Sequence, residues 1–314
     1  MPGTAAPAPL YSRRQEAGGH DGLGERTGLK ARSRLAYDAP PTAAGPTEEG
    51  KPPRRGLLHP AKPNKAAFYD LDGTLLSCNL VTTYAYYARN DRSLVKSIYL
   101  FTKVLLSVPL LIGLDLYSRT LFNLFFFRAY RGMNRDRLIG LADDLFEVTL
   151  KPSIYAQAEE LVKRTREEGY RNVLVTGALD ITVRPIALHF GIQEVICNRL
   201  EFKNHVATGR VLPPLVAEEQ KATIIREYAR QEGIDLAESC AFSDSTSDIP
   251  MLAVCGRPVA ANPTRRLRRL ARRKRWPILD LESRGVPLPP VWRGERAEAG
   301  QAEFQQKEAA IDLP

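Results

Sequence analysis

The stretch KAAFYDLDGTLLS, Lys65 to Ser77, sets two aspartates one residue apart at the end of an apolar run, then turns on Gly-Thr. Ala66 to Tyr69 has the character of a short buried strand. Alternate strand residues face opposite sides, so Asp70 and Asp72 point the same way if the strand continues. Two carboxylates there are costly unless something cationic lies between them. An exposed Asp-Gly turn is the competing reading, because that dipeptide is a strong hairpin signal.

Further along the chain, strand and helix patterns alternate. SIYAQAEELVKRTREEGY reads as an amphipathic helix ending at Gly169, RNVLVTGA as a strand and DITVRPIALHFG as a helix. EVICNRL, a hairpin-like RLEFKNHVATGRV, the helix EEQKATIIREYARQEG and the strand SCAFSDS follow. SDIPMLAVCG then reads as a helix and RPVAAN as a last strand. This order predicts an α/β fold, a Rossmann-like parallel sheet with helices on both faces. Ligands of such sheets bind at the carboxyl ends of the strands, where Asp70, Thr176 and Asp244 fall.

Ser77 to Leu150 breaks the rhythm with apolar helical stretches and no strand, which predicts an all-helical cap inserted after the first strand. A membrane span is the rival reading. The uncharged run Val104 to Leu114 is half of the roughly 20 residues needed to cross a bilayer, and Pro109 interrupts it. The expected divisions are an N-terminal extension over 1–62, a catalytic core over 63–76 and 151–281, a cap over 77–150, and a flexible tail over 282–314.

The 314-residue chain carries a net charge of +9, and 44% of its residues are hydrophobic, as in an ordinary soluble protein. Its basic character is concentrated. Residues 1–65 are net basic, and eight of the eleven residues from Arg265 to Arg275 are Lys or Arg. The first 62 residues are rich in Pro, Gly and Ala, read as disordered, and lack the apolar core of a secretory signal. The four cysteines and four histidines are scattered, which argues against a disulfide framework or a zinc site and fits a reducing cytoplasm.

Four strand-end signals stand in order: DLDGT (Asp70–Thr74), VTGA (Val175–Ala178), EEQK (Glu218–Lys221) and FSDSTSD (Phe242–Asp248). With these motifs the chain resembles the haloacid dehalogenase-like phosphohydrolases, particularly the phosphoserine-phosphatase-like branch of subfamily IB. The resemblance spans roughly residues 66 to 280. It implies that Asp70 is a nucleophile forming an aspartyl-phosphate, and that Asp72 is the general acid and base. It also implies a Mg2+ ion on Asp70, the backbone carbonyl of Asp72 and Asp244, with Asp248 acting from behind them or simply capping the next helix. Thr176, Gly177 and Lys221 are the implied phosphate-binding residues.

Two departures qualify the resemblance. Relatives commonly carry glycine on both sides of the fourth-motif aspartate, where this chain has Ser243 and Ser245. Phosphoserine phosphatases place a glutamate nine residues after the nucleophile to hold the substrate's ammonium, and here that position is Asn79. Arg119 is the cap's candidate for gripping an anionic group. The apolar cap points to an apolar-tailed or lipid-type phosphate. A small polar phosphate such as phosphoserine or histidinol phosphate is the alternative.

A different class of function would use the basic helix alone. Leu267, Leu270 and Ala271 share one face among arginines, a pattern suited to an anionic membrane or, less favoured, a nucleic-acid backbone. A solvated last helix packed by its leucines is the plainer reading. The expectation is a cytoplasmic enzyme with peripheral membrane contact through Arg265–Arg275.

Overall fold

The computed structural model describes residues 63–90 and 94–282. The extension expected over 1–62, and the tail past Glu282, lie outside the described residues. Among the described residues seven strands form one sheet: β1 (Ala66–Tyr69), β2 (Arg171–Leu179), β3 (Glu194–Lys203), β4 (Val206–Leu212), β5 (Cys240–Ser243), β6 (Arg257–Ala261) and β7 (Ile278–Leu279). Their order is β4-β3-β2-β1-β5-β6-β7. Every neighbouring pair is parallel except β3 with β4, the hairpin anticipated from RLEFKNHVATGRV. RPVAAN is not the last strand. The two-residue β7 pairs beyond it, through Ala260 with Ile278 and Ala261 with Leu279.

The helices are α1 (Leu80–Arg89), α2 (Leu94–Tyr117), α3 (Arg119–Phe126), α4 (Arg135–Leu145), α5 (Ala158–Glu167), α6 (Asp180–Phe190), α7 (Glu218–Glu232), α8 (Ile249–Ala253) and α9 (Arg265–Lys274). Helix α5 starts later than its apolar spacing suggests. The preceding residues instead pin the loop after β1: Ile154 bridges Leu76, and the Tyr155 N–H donates to the Leu75 carbonyl.

Phe68 on one face of β1 joins Val173, Ile225, Met251, Leu267 and Ala271, so α7, α8 and α9 cover that side. Full burial of a side chain such as Phe68 contributes about 1.5–3 kcal/mol. On the other face Tyr69 stacks on Phe242, ring centroids 4.8 Å apart, and its hydroxyl meets Thr165 Oγ1 of α5 at 2.6 Å. Leu267 and Ala271 are fully buried in this core, so the apolar face of the basic helix is occupied and its exposed surface is arginine.

Among the described residues between β1 and α5 the named elements are helices and helical turns, the all-helical insertion the sequence predicts. Its centre is aromatic: Phe126 and Tyr130 pack edge-on against Tyr84, and Phe122 stacks on Phe126. Of the NLFFF run, Phe126 and Phe127 belong to the insertion's own core at 1% exposed, while Leu124 and Phe125 face outward. Helix α2 runs 24 residues straight through Pro109, which costs it one backbone hydrogen bond rather than ending it. Among the described residues no helix is long and apolar enough to cross a membrane.

The β3–β4 hairpin holds the insertion from the other side. Gly132 N–H donates to the Ala207 carbonyl, and Arg135 N–H to that of His205.

Candidate active site

Strand β1 lies at the point where chain order reverses, with β2 on one side and β5 on the other. A crevice at the carboxyl ends of strands is expected at such a point. The register aligns Tyr69 with Phe242, so Asp70 and Asp244 leave adjacent strands at nearly the same height. The Asp70 N–H donates to the Phe242 carbonyl at 3.0 Å, extending the ladder to the aspartate itself.

The strand does not continue to Asp72. Gly73 takes φ +81° and its N–H donates to the Leu76 carbonyl, curling the chain over the strand end. A Cβ on Gly73 would lie 2.5 Å from Asp244 Oδ2, so glycine is what allows the Asp244 carboxylate to rest there.

Asp70 is 6% exposed and Lys221 4%. Lys221 Nζ donates to Asp70 Oδ1 at 2.6 Å and to Asp248 Oδ2 at 2.9 Å. The lysine thus lies between Asp70 and Asp248, not between the Asp70 and Asp72 of the opening motif. Burial raises the pKa of the Asp70 carboxyl, and Lys221 opposes that rise. Burial pulls the Lys221 ammonium down, but Asp248 and Asp70 outweigh it and hold its pKa well above the usual lysine value.

Asp248 does not cap α8. Its carboxylate makes no capping bond and instead takes Lys221 and the Ser243 hydroxyl, the latter at 2.8 Å. Ser243 is thus a second donor to Asp248, while Ser245 caps the following turn by accepting from the Ser247 N–H. The two serines that replace the family's glycines therefore brace the motif.

Thr74, which the sequence reading passed over, ties the two main carboxylates together. Its hydroxyl lies 3.3 Å from Asp70 Oδ2 and 3.4 Å from Asp244 Oδ1, and accepts the Asp244 N–H at 3.0 Å.

Asp70, Lys221, Asp244, Ser245 and Asp248 floor a cavity of about 360 Å³ that also takes in Asp72, Asn79 and Gly177. Its upper wall is apolar, built from Leu80, Val81, Leu111 and Phe122 of the insertion with Val216 from the sheet side. Thr176 does not reach the cavity; it is 1% exposed, and its hydroxyl accepts the Ala178 N–H at 3.1 Å. Asn79 is the N-cap of α1, its Oδ1 accepting from Val81 and Thr82. Arg119 opens α3, and its side chain lies outside the described residues.

Glu218 and Asn123 also line the cavity and were not picked out from sequence. Glu218 Oε2 accepts from Thr120 Oγ1 at 2.6 Å, from Thr120 N–H at 3.3 Å and from Ser118 Oγ at 3.2 Å, fastening α7 to the N-terminus of α3. The signal for it, an acidic residue in the first turn of a helix, is too common to single out.

The fit of a metal can be judged from the donors present. Among the described residues no three His, Cys, Asp or Glu side chains gather as a metal site. The set expected here has only two side-chain carboxylates, Asp70 and Asp244, and a backbone carbonyl. Those two carboxylates converge on one Thr74 hydroxyl, and the donors are all hard oxygens. That chemistry suits Mg2+.

The family model of the haloacid dehalogenase-like hydrolases matches residues 67–253. The chain is 30% identical over 226 residues to the inhibition of morphological differentiation protein of Streptomyces azureus, covering 72% of this chain and 82% of that one. It is 29% identical to a probable phosphatase of Mycobacterium tuberculosis, over 77% of this chain and 84% of that one. A solved phosphoserine phosphatase carrying a phospho-aspartyl intermediate analogue superposes with a TM-score of 0.52, at 22% identity, over 71% of this chain and 95% of that one. That likeness is one of fold. The chain belongs to the haloacid dehalogenase-like hydrolases.

Proposed function

We propose that the protein is a Mg2+-dependent phosphomonoester hydrolase that works through an aspartyl-phosphate on Asp70. The observation that carries this reading is the meeting of Asp70, Asp72, Asp244 and Lys221 at the carboxyl ends of β1 and β5. One carboxylate oxygen of Asp70 attacks phosphorus, and the bond from phosphorus to the alcohol oxygen breaks as Asp72 gives that oxygen its proton. Asp72 then takes a proton from the water that attacks the phospho-aspartate. The second phosphorus–oxygen bond breaks, phosphate leaves and Asp70 is restored.

Lys221 uses two of its three N–H donors on Asp70 and Asp248, leaving one for a phosphoryl oxygen. The Gly177 backbone is the second anion contact in this proposal. Asp70, the Asp72 carbonyl and Asp244 would hold Mg2+, which when bound neutralises charge on the phosphoryl oxygens.

The cavity supports a compact ester with an apolar portion against Leu80, Leu111 and Phe122, since about 360 Å³ lies near the lower end for small-molecule sites. A small phosphate ester is therefore the preferred substrate class. Contact with a lipid surface is a second reading. Val95, Ile98, Tyr99, Leu105 and Leu106 stand exposed along α2 at helical spacing. Sedimentation with anionic and neutral vesicles tests it, and absence of binding to both removes it.

The central reading is tested by phosphate release from a panel of phosphomonoesters, with chelator and then Mg2+ added back, alongside Asp70→Asn. Turnover should require the ion and fall at least about a thousandfold in the mutant, with unchanged circular dichroism. A folded mutant that retains substantial activity removes Asp70 from the nucleophile role.

A further inference from the structure

Asn123 is 1% exposed, yet it lines the cavity beside the aspartates and Lys221. Its Oδ1 has no hydrogen-bond partner. Its Nδ2 lies 3.2 Å from where a Cβ on Gly177 would sit, tighter than ordinary contact, so the bare glycine backbone leaves room for this amide. A buried amide oxygen left without a donor costs about 1–3 kcal/mol relative to one that is satisfied. Native structures rarely keep such a group without a use for it.

The neighbouring polar groups narrow that use. Asn79 is occupied as a helix cap, and the Glu218 carboxylate is fastened to Ser118 and Thr120. The aspartates at the cavity floor surround Lys221 and Thr74. Asn123 is therefore the cavity's uncommitted polar side chain on the insertion side, and it is neutral. Its terminal torsion is soft, so it can present either its oxygen or its N–H to a ligand.

We infer that Asn123 is a specificity-determining residue that hydrogen-bonds an uncharged donor or acceptor on the alcohol portion of the substrate. The substrate class is then a phosphomonoester whose alcohol bears a hydroxyl or similar neutral group close to the phosphate, rather than an ammonium. This rests on the phosphatase reading for the word substrate, but the site itself can be examined by binding alone.

The test uses Asp70→Asn protein, which holds esters without turning them over, and titrates glycerol phosphate and phosphoserine by calorimetry. Glycerol phosphate should bind at least about tenfold tighter, a difference of about 1.4 kcal/mol. Adding Asn123→Asp should shift the ratio of the two affinities at least tenfold towards phosphoserine. Adding Asn123→Leu, similar in volume and without polar atoms, should weaken glycerol phosphate at least tenfold while the melting temperature holds or rises.

An unchanged ratio in Asn123→Asp, a melting temperature lowered by Asn123→Leu with affinity intact, or no binding of either ester overturns the inference. Phosphate release by the wild-type protein is measured separately. Binding that behaves as expected without turnover sinks the phosphatase reading and leaves the subsite standing. Turnover with an unmoved ratio does the reverse.

Discussion

Lys221 Nζ lies 2.6 Å from Asp70 Oδ1, and both side chains are more than nine-tenths buried. The pair is tied further to Asp248, so one cation serves two carboxylates inside the fold. Lys221→Met should therefore cost stability as well as activity. Removing one member of a buried ionic group typically costs about 3–5 kcal/mol, less whatever the orphaned carboxylates recover by taking up a proton. Urea unfolding should show a lower midpoint, and kcat should fall by roughly a hundredfold or more with loss of the phosphate-facing cation. An unchanged midpoint would mean that the three groups do not form one unit.

Gly73 offers a finer test. Alanine there would meet Asp244 Oδ2 at 2.5 Å while holding φ at +81°. The backbone term alone costs about 1–2 kcal/mol. Displacing Asp244 by an ångström should lower kcat/KM roughly a hundredfold. The Mg2+ concentration needed for half-maximal activity should rise as well. Wild-type kinetics in Gly73→Ala would show that Asp244 need not sit against this turn.

Far from the cavity, Arg171 at the start of β2 holds Glu194, Glu232 at 2.9 Å and the Tyr228 hydroxyl at 3.1 Å, with its own side chain 8% exposed. The Tyr228 hydroxyl also donates to Glu194. Arg171→Met should destabilise the fold by about 2–4 kcal/mol, because it removes the buried guanidinium that both carboxylates share. At a temperature where the mutant stays folded, its kcat should match wild type. A matching denaturation midpoint would reduce the network to a surface ornament.

Much of this was legible in the sequence because strand ends carry local signals. Asp70, Asp244 and Lys221 stand in motifs whose strand and helix context can be read from residue pattern, and the structure brings all three into one cavity. A threonine at a strand end, such as Thr176, looks the same whether its hydroxyl faces a ligand or its own backbone, and here it accepts from Ala178. Asp248 read either as acting from behind the metal ligands or as a plain helix cap, and in the fold its carboxylate takes Lys221 and Ser243 in place of the cap. Asn123, and Glu218 at the head of EEQK, carried no local signal of a place in the cavity. Their roles depend on how α3 lies over β2 and α7, a tertiary relationship that a helical apolar pattern does not encode. The apolar face of α9 was similarly ambiguous until the core was seen to cover Leu267 and Ala271.

The most direct measurement is to trap the intermediate. Enzyme mixed with a turned-over phosphomonoester is quenched in acid, digested and mapped by mass spectrometry for a phosphoryl group. The account predicts the group on the peptide bearing Asp70, removable by hydroxylamine and missing in Asp70→Asn. A phosphoryl group found instead on Ser243 or Ser245, or turnover in which no peptide is ever phosphorylated, would contradict it.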